Sequence, residues 1–477
     1  MSTACTSDLV MEPATAQALL AARSQMAFTL GFHIVLACLG VAMPTIVLIA
    51  NAVGLRRSDP VALVLARRWS TVMAVTFAVG AVTGTVLSFE MGVLWPGLIR
   101  SFGPAFGIPF AIEGIFFFLE AIFIAIYIYG WRRLAPRAHL LSGIPVAIAG
   151  IGGTFSVVSA NAWMNQPAGF VLGSDGRVIA VTPLEVIFNR ATAYEVPHML
   201  LAGYMVTGFL IASVYAIAML RGHRDRYVRL GFAIPFVLAV LAAPLQVVVG
   251  DIAARGVIED QPVKFAAMEL VTTTGPDQPL TLGGILVDGQ VVGGIRIPEL
   301  ASILAGFSPG TVVTGLDAFP MADRPPVSIV HLAWDVMVGL GTALVALGAW
   351  ALLLRIRRRD VADARWFLRA VAVSGVAAVA ALEAGWIVTE VGRQPWIVFG
   401  VLRTADAVTT APGVGVIFLV TVGLYGVLGV AAAVVLLALR RRWAIEDTAA
   451  GGRAVGGDGV GGVPYGPTAR PDPDAPR

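Results

Sequence analysis

The residues of this chain with the most chemistry to offer are ionisable side chains set inside apolar runs: His33, Glu113, Glu120, His198 and Glu390. A charged group in the hydrocarbon core of a bilayer is expensive, so such residues mark cofactor ligands, proton carriers or paired partners. Glu113 and Glu120 stand seven residues apart in a Phe-rich stretch. Seven helical steps nearly close two turns, which puts both carboxylates on one face, about 10 Å apart along the axis. Neither has a basic residue within one turn, and carboxyls held in low dielectric suit taking up and passing protons. A hydrogen-bonded pair joining neighbouring helices is the structural alternative.

His33 sits in Leu30-Gly31-Phe32-His33-Ile34. Imidazole is a good iron ligand, and Gly31 beside it would admit a flat macrocycle; a helix-to-helix hydrogen bond is the competing use. His198, in Glu195-Val196-Pro197-His198-Met199, carries the same ambiguity. Met337 lies in Trp334-Asp335-Val336-Met337-Val338-Gly339, in a run that begins on the same side of the membrane as the run holding His198. A lone Met is usually core filler. Paired with His198 at similar depth it becomes a candidate second axial ligand of one haem, with His331 as the rival partner.

Glu390 and Arg393 are three apart where a long apolar run ends at Gln394-Pro395-Trp396. The carboxylate could ligate iron or answer the arginine, and a guanidinium there could bind a propionate bidentately; an interfacial ion pair is the structural reading. Lys264 is the only lysine in the chain and stands five residues before Glu269 in Lys264-Phe265-Ala266-Ala267-Met268-Glu269. If helical, that stretch turns the two only roughly to one side, where they could bracket a polar headgroup as donor and proton acceptor. By spacing alone they read equally as solvated charges on a loop.

The elements that must position these groups are membrane helices. The chain has 477 residues, 57% hydrophobic and only 13% charged, far from soluble averages. About nine segments are long enough to span a bilayer: residues 25–50, 70–94, 108–130, 141–163, 199–220, 231–250, 328–354, 367–389 and 412–439. This predicts an all-α polytopic membrane protein and excludes a soluble enzyme.

Arginines cluster after alternate segments: Arg56, Arg57, Arg67 and Arg68; Arg132, Arg133 and Arg137; Arg221, Arg224, Arg226 and Arg229; Arg355, Arg357, Arg358, Arg359, Arg365 and Arg369; and Arg440, Arg441 and Arg442. The positive-inside rule therefore puts the N-terminus outside and the C-terminus in the cytoplasm. The formal charge of +3 follows from that orientation and is no argument for nucleic acid. Residues 1–24 form an outer N-terminal segment without a basic signal-peptide start, with 14–26 as a candidate surface helix. Spans one to six occupy 25–250, an outer loop 251–327, spans seven to nine 328–442, and a Gly/Pro-rich disordered cytoplasmic tail 443–477. Outer segments at 164–197 and 251–327 are too long to be mere connectors. Cys5 and Cys38 suggest no disulfide framework.

In order along the chain, these marks resemble subunit I of the bd-type quinol oxidases, over about residues 20–440. The matching stretches are Arg23-Ser24-Gln25-Met26-Ala27-Phe28 leading to His33, the Glu113 to Glu120 segment, Asn161-Ala162-Trp163-Met164-Asn165-Gln166-Pro167, His198, the Lys264 to Glu269 stretch, Met337 and Gly392-Arg393-Gln394-Pro395-Trp396. The resemblance implies a haem-dependent terminal respiratory oxidase that oxidises quinol at the outer face and reduces dioxygen to water with cytoplasmic protons, building a gradient without pumping. It implies two haem b groups, one low-spin and one high-spin, and a haem d that another haem b replaces in some members. His198 and Met337 correspond to the axial pair of the low-spin haem, and His33 and Glu390 to ligands of the two high-spin haems, unassigned between them. Glu113 corresponds to a carboxylate beside the oxygen-reducing pair, Glu120 to the next step of a proton route, Arg393 to a propionate partner, and Lys264 and Glu269 to the quinol site. A second membrane subunit, small accessory subunits and a bacterial cytoplasmic-membrane location are implied too.

The outer loop lacks a long insertion, as in a short-loop form. Leu270-Val271-Thr272 after Glu269 departs from the acidic, tryptophan-containing continuation of some relatives, and Asp335 stands where certain members have arginine. Two other classes compete: a proton-coupled transporter using Glu113 and Glu120, whose paired repeats are missing, and a structural haem-binding electron-transfer subunit without its own oxygen-reducing activity.

Overall fold

The computed structural model describes residues 13–449, with side chains from 16 to 447. The first helices are α1 (Pro13–Arg57), α2 (Pro60–Leu94), α3 (Pro96–Gly130), the short α4 (Pro136–Ser142) and α5 (Ile144–Asn165). Proline in the first turn of α2 to α5 suits a position whose N–H has no helical partner. Asp59 caps α2, its Oδ1 accepting from the Val61 and Ala62 amides at 3.1 and 3.4 Å. A hairpin of β1 (Phe170–Leu172) and β2 (Val178–Val181), with Phe170 opposite Val181, and the short α6 (Pro183–Ile187) lead into α7 (Thr192–Leu220) and α8 (Arg226–Asp260).

The long connection that follows is built rather than loose. It holds α9 (Pro262–Glu269), then β3 (Leu280–Leu282), β4 (Ile285–Val287), β5 (Gln290–Val292) and β6 (Ile295–Ile297), then α10 (Leu300–Gly306). β4 pairs with β5 inside the β3–β6 pair, Ile285 opposite Val292 and Leu280 opposite Ile297. Gly283, Gly284, Gly293 and Gly294 form the junction between the two ribbons with φ of 66°, 90°, 74° and 83°, a region glycine enters without a Cβ clash. The chain closes with α11 (Val327–Ile356), α12 (Arg365–Gly392), the β7 (Trp396–Val398) and β8 (Leu402–Arg403) hairpin, α13 (Thr404–Ala407) and α14 (Val414–Ala449).

Among the described residues, nine helices are long and apolar enough to cross a membrane, α4 and α5 counting together as one. The principal packing partners are α7 with α8 and α12, α1 with α2, α3 with α5, and α11 with α12. Close approach depends on small residues: a Cβ on Gly208 of α7 would fall 2.6 Å from Pro235 O of α8, and one on Gly375 of α12 2.9 Å from Leu210 Cα of α7. The arginine-rich loops lie together at one end, cross-linked by Arg224 to Asp363 at 2.6 Å, Arg229 to Asp360 at 2.7 Å, Arg68 to Asp447 at 2.6 Å and Arg226 to Asp59.

Element boundaries differ from the sequence expectations at three places. Residues 14–26 form the first turns of an unbroken α1 and no separate surface helix, because nothing there breaks the hydrogen-bond ladder. α8 continues to Asp260, since its amphipathic last turns pack under the loop, so the connection starts ten residues later than 250. The expected tail begins in helix, α14 running on to Ala449; the rest of it lies outside the described residues.

Candidate functional site

Most of the singled-out side chains gather at the end of the bundle opposite the arginine loops. A cavity of about 460 Å³ opens there between α7, α8, α9, α11 and α12, lined by His198, Gln246, Lys264, Glu269, Trp334 and Met337 among mainly apolar neighbours. His198 and Met337 thus face one space from different helices. Glycines make room for both: a Cβ on Gly385 would sit 3.0 Å from Met337 Sδ, and one on Gly250 3.4 Å from His198 Cε1. Gln246 Nε2 lies 3.1 and 3.3 Å from the His198 ring nitrogens, while its Oε1 is buried without a partner. The rival His331 is turned away, its nitrogens 2.7 Å from Met268 O and 2.9 Å from Gly283 O, so neither is free for iron.

Lys264 and Glu269 are both nearly fully buried, on the short, roughly two-turn α9. Lys264 Nζ donates to Asn165 Oδ1 at 3.0 Å, and Glu269 Oε1 accepts from Trp334 Nε1 at 2.9 Å. Burial, reinforced by the Arg393 guanidinium, holds the Lys264 ammonium well below the usual lysine range. Burial pushes the Glu269 carboxyl up to about 7. A donor and a carboxyl that exchanges protons near neutrality therefore share a wall of the cavity. This is a built site, in contrast to the solvated loop charges that spacing alone allowed.

Glu390 lies off the cavity and is joined to it through Asn161, whose Nδ2 donates to Glu390 Oε1. Arg393 Nη2 donates to Glu390 Oε2 at 2.5 Å. Arg393 is only 2% exposed, and its Nε and Nη1 have no hydrogen-bond partner among the described residues. A buried guanidinium with unused donors is costly unless an anion completes it, which fits a cofactor carrying carboxylate arms. His33 is equally prepared. Its Nδ1 is 2.9 Å from Thr83 Oγ1, whose own proton points to the Val79 or Gly80 carbonyl at 3.1 Å. Nδ1–H is then the donor, leaving the Nε2 lone pair for a metal. Gly84 keeps the ring clear: a Cβ there would meet His33 Cε1 at 2.9 Å. These donors fit haem groups held one or two ligands at a time; among the described residues no cluster of three His, Cys, Asp or Glu could hold a bare metal ion.

Glu113 and Glu120 lie on α3, apart from the cavity. Glu120 Oε1 is buried without a partner and faces α1 and α5, within 3.9 and 3.6 Å of Cβ positions built on Gly40 and Gly150. Three carboxylates escaped the sequence reading. Glu195 accepts from Asn165 Nδ2 at 3.0 Å and lines the cavity; its i, i+3 spacing to His198 was the available signal. Glu90 accepts from Gln25 Nε2 at 2.8 Å and Thr29 Oγ1 at 2.6 Å, and Glu383 faces Gly31 beside His33. Both sit in apolar runs, and only helix packing reveals what they face.

The model of the family described as cytochrome bd terminal oxidase subunit I matches residues 21–443. A Bacillus subtilis (strain 168) protein assigned by inference as a cytochrome bd menaquinol oxidase subunit I is 32% identical over 435 residues, covering 90% of this chain and 98% of that protein. The cytochrome bd-II ubiquinol oxidase subunit 1 of Escherichia coli (strain K12) is 28% identical over 434 residues, covering 76% of this chain and 84% of the relative. Among solved structures, a chain of the bd oxidase from Geobacillus thermodenitrificans superposes with a TM-score of 0.84 at 37% identity, over 89% of this chain and 98% of that one.

Proposed function

The chain belongs to the cytochrome bd terminal oxidase subunit I family, and from that premise we propose how its own residues divide the work of a quinol:dioxygen oxidoreductase. It is a multi-pass protein of the bacterial cytoplasmic membrane, a haem-dependent quinol oxidase, and part of a multi-subunit assembly. The observation that carries the division is the shared cavity: His198 and Met337 line the same space as Lys264 and Glu269.

Haem iron, when bound, supplies one-electron transfer and the reduction of dioxygen to water. In our reading the quinol headgroup binds between Lys264 and Glu269, the ammonium donating to one oxygen of the ring, whose own proton leaves to the outer side, and the Glu269 carboxylate taking the proton of the other hydroxyl. His198 and Met337, which line the same cavity, would hold the low-spin haem b that takes the electrons. His33 and Glu390 would each hold one of two further haems, a b and either a d or another b. Arg393, charge-balanced on one side by Glu390, would bind a propionate with its free Nε and Nη1. Glu120 Oε1 takes up a proton from the arginine-rich, cytoplasmic end and passes it along α3 to Glu113. The quinol pocket then lies at the outer face, so proton release and uptake fall on opposite sides. A second membrane subunit, with small accessory chains, completes the complex; quinol and dioxygen are its substrates and nucleic acid is none of its business.

Reduced-minus-oxidised spectra of the purified complex test the low-spin assignment. Met337→Leu should shift or remove one haem b signal and stop quinol-dependent oxygen uptake, and an unchanged spectrum would discard Met337 as a ligand. Glu120→Gln should slow turnover roughly tenfold, one step of about 1.4 kcal/mol, with haem content intact; full turnover would remove its proton role.

A further inference from the structure

Ser328, His331 and Asp335 fall at i, i+3 and i+7 on one face of α11, and each bonds to the loop between α8 and α11. Ser328 Oγ accepts from Leu286 N at 3.0 Å, and Asp335 Oδ2 accepts from Gly283 N at 2.5 Å. His331 is completely buried between two carbonyls, Met268 O at 2.7 Å from Nδ1 and Gly283 O at 2.9 Å from Nε2. Both ring nitrogens thus face backbone oxygens, which ties the ring to α9 on one side and to the hairpin on the other. Asp335 Oδ2 approaches the same ring from its own helix, 3.3 Å from Nε2. From α9 the charged group facing the ring is Glu269, the residue after Met268; the hairpin offers only backbone.

Glu269 is therefore gripped twice by α11. Trp334 Nε1 holds its carboxylate, and His331 holds the carbonyl of the preceding residue. Trp334 and Met337 occupy the adjacent, cavity-facing side of α11. One rigid helix thus sets the proposed haem donor, the quinol-side carboxyl and the hairpin outside them.

We propose that His331 is a positioning residue for quinol oxidation, a clamp that, with Asp335 on the Gly283 amide, locks the end of α9 and the β3–β6 hairpin onto α11 and so fixes Glu269 at the cavity wall. The proposal rests on the reading of Lys264 and Glu269 as the quinol pocket. It assigns a role to the acidic residue at 335: its carboxylate accepts from the Gly283 amide and braces the hairpin.

The test uses the purified multi-subunit oxidase and a water-soluble short-chain quinol. His331→Gln should raise the quinol KM about tenfold with kcat within about twofold, leaving the haem spectra unchanged. Asp335→Asn, which keeps the shape and one acceptor oxygen, should raise KM about threefold. The double variant should exceed neither single effect summed, because both residues serve one clamp. Amides of residues 280–297 should exchange with deuterium faster in both variants. Unchanged KM with unchanged exchange overturns the clamp, as does loss of kcat and haem in step with KM, the mark of a general packing defect. Should His331→Gln fail to assemble, Asp335→Asn and the exchange measurement decide. Glu269→Gln separates the two levels: normal quinol kinetics there would sink the pocket reading, while hairpin exchange still reports on the clamp.

Discussion

The two ends of this bundle spend their charges differently. At the arginine-rich end, Arg224 and Asp363 are 40% and 70% exposed, so water screens that pair and it contributes little. At the opposite end Arg393 is 2% exposed with two unpartnered nitrogens, and Lys264 and Glu269 are buried against apolar walls. Uncompensated buried charge is tolerated where a ligand completes it or where a proton must be moved. The contrast separates charges that orient a membrane protein from charges that work in it.

The sharpest way to break that contrast is Glu269→Gln. Removing a general base should lower quinol oxidation by about 10²- to 10⁴-fold, measured as oxygen uptake with haem content unchanged. The pH dependence carries the same information. With its carboxyl pushed up to about 7, Glu269 is protonated and idle below that pH and able to accept a proton above it. Quinol oxidation should therefore rise as the pH climbs towards 7 in the wild type and turn down above it as the Lys264 ammonium is discharged, and the variant should lose the acid-side rise; an identical profile in both would take the base role from Glu269.

Arg393→Leu comes next. It strands Glu390 and removes the donors left for a propionate, so one high-spin haem signal should weaken and turnover should fall about 10- to 100-fold. Retention of every haem band at full turnover would make Arg393 a simple anchor of the α12 terminus. The smallest effect belongs to the other end. Arg224→Ala should cost about 0.2–1 kcal/mol and leave turnover unaltered; a large activity loss would mean that the arginine-rich end does more than orient the chain.

Much of this was legible in the residues alone. Nine apolar runs predicted nine spanning helices because a bilayer imposes length and composition on every segment that crosses it. Arginine spacing sorted the loops into two sets, and the structure places one set together at one end. His198, Met337, Lys264 and Glu269 could be named as candidates from residue type and setting. What they share could not, because the cavity is bounded by helices drawn from Val158 to Thr389 along the chain.

The choice between Met337 and His331 shows the division best. Both are plausible donors on the same helix, six residues apart, and periodicity says only that they point in different directions. Docking of α9 and the hairpin against one face of α11 ties up both nitrogens of His331 and leaves the thioether facing His198's cavity. The sequence by itself determined that this is a membrane protein with about nine spanning segments and ionisable groups set inside them, since hydropathy and charge act locally along the chain. Which of those groups face one another was decided only by tertiary packing, since hydrogen bonding and ligation act over about 3 Å between segments that the chain brings together from far apart.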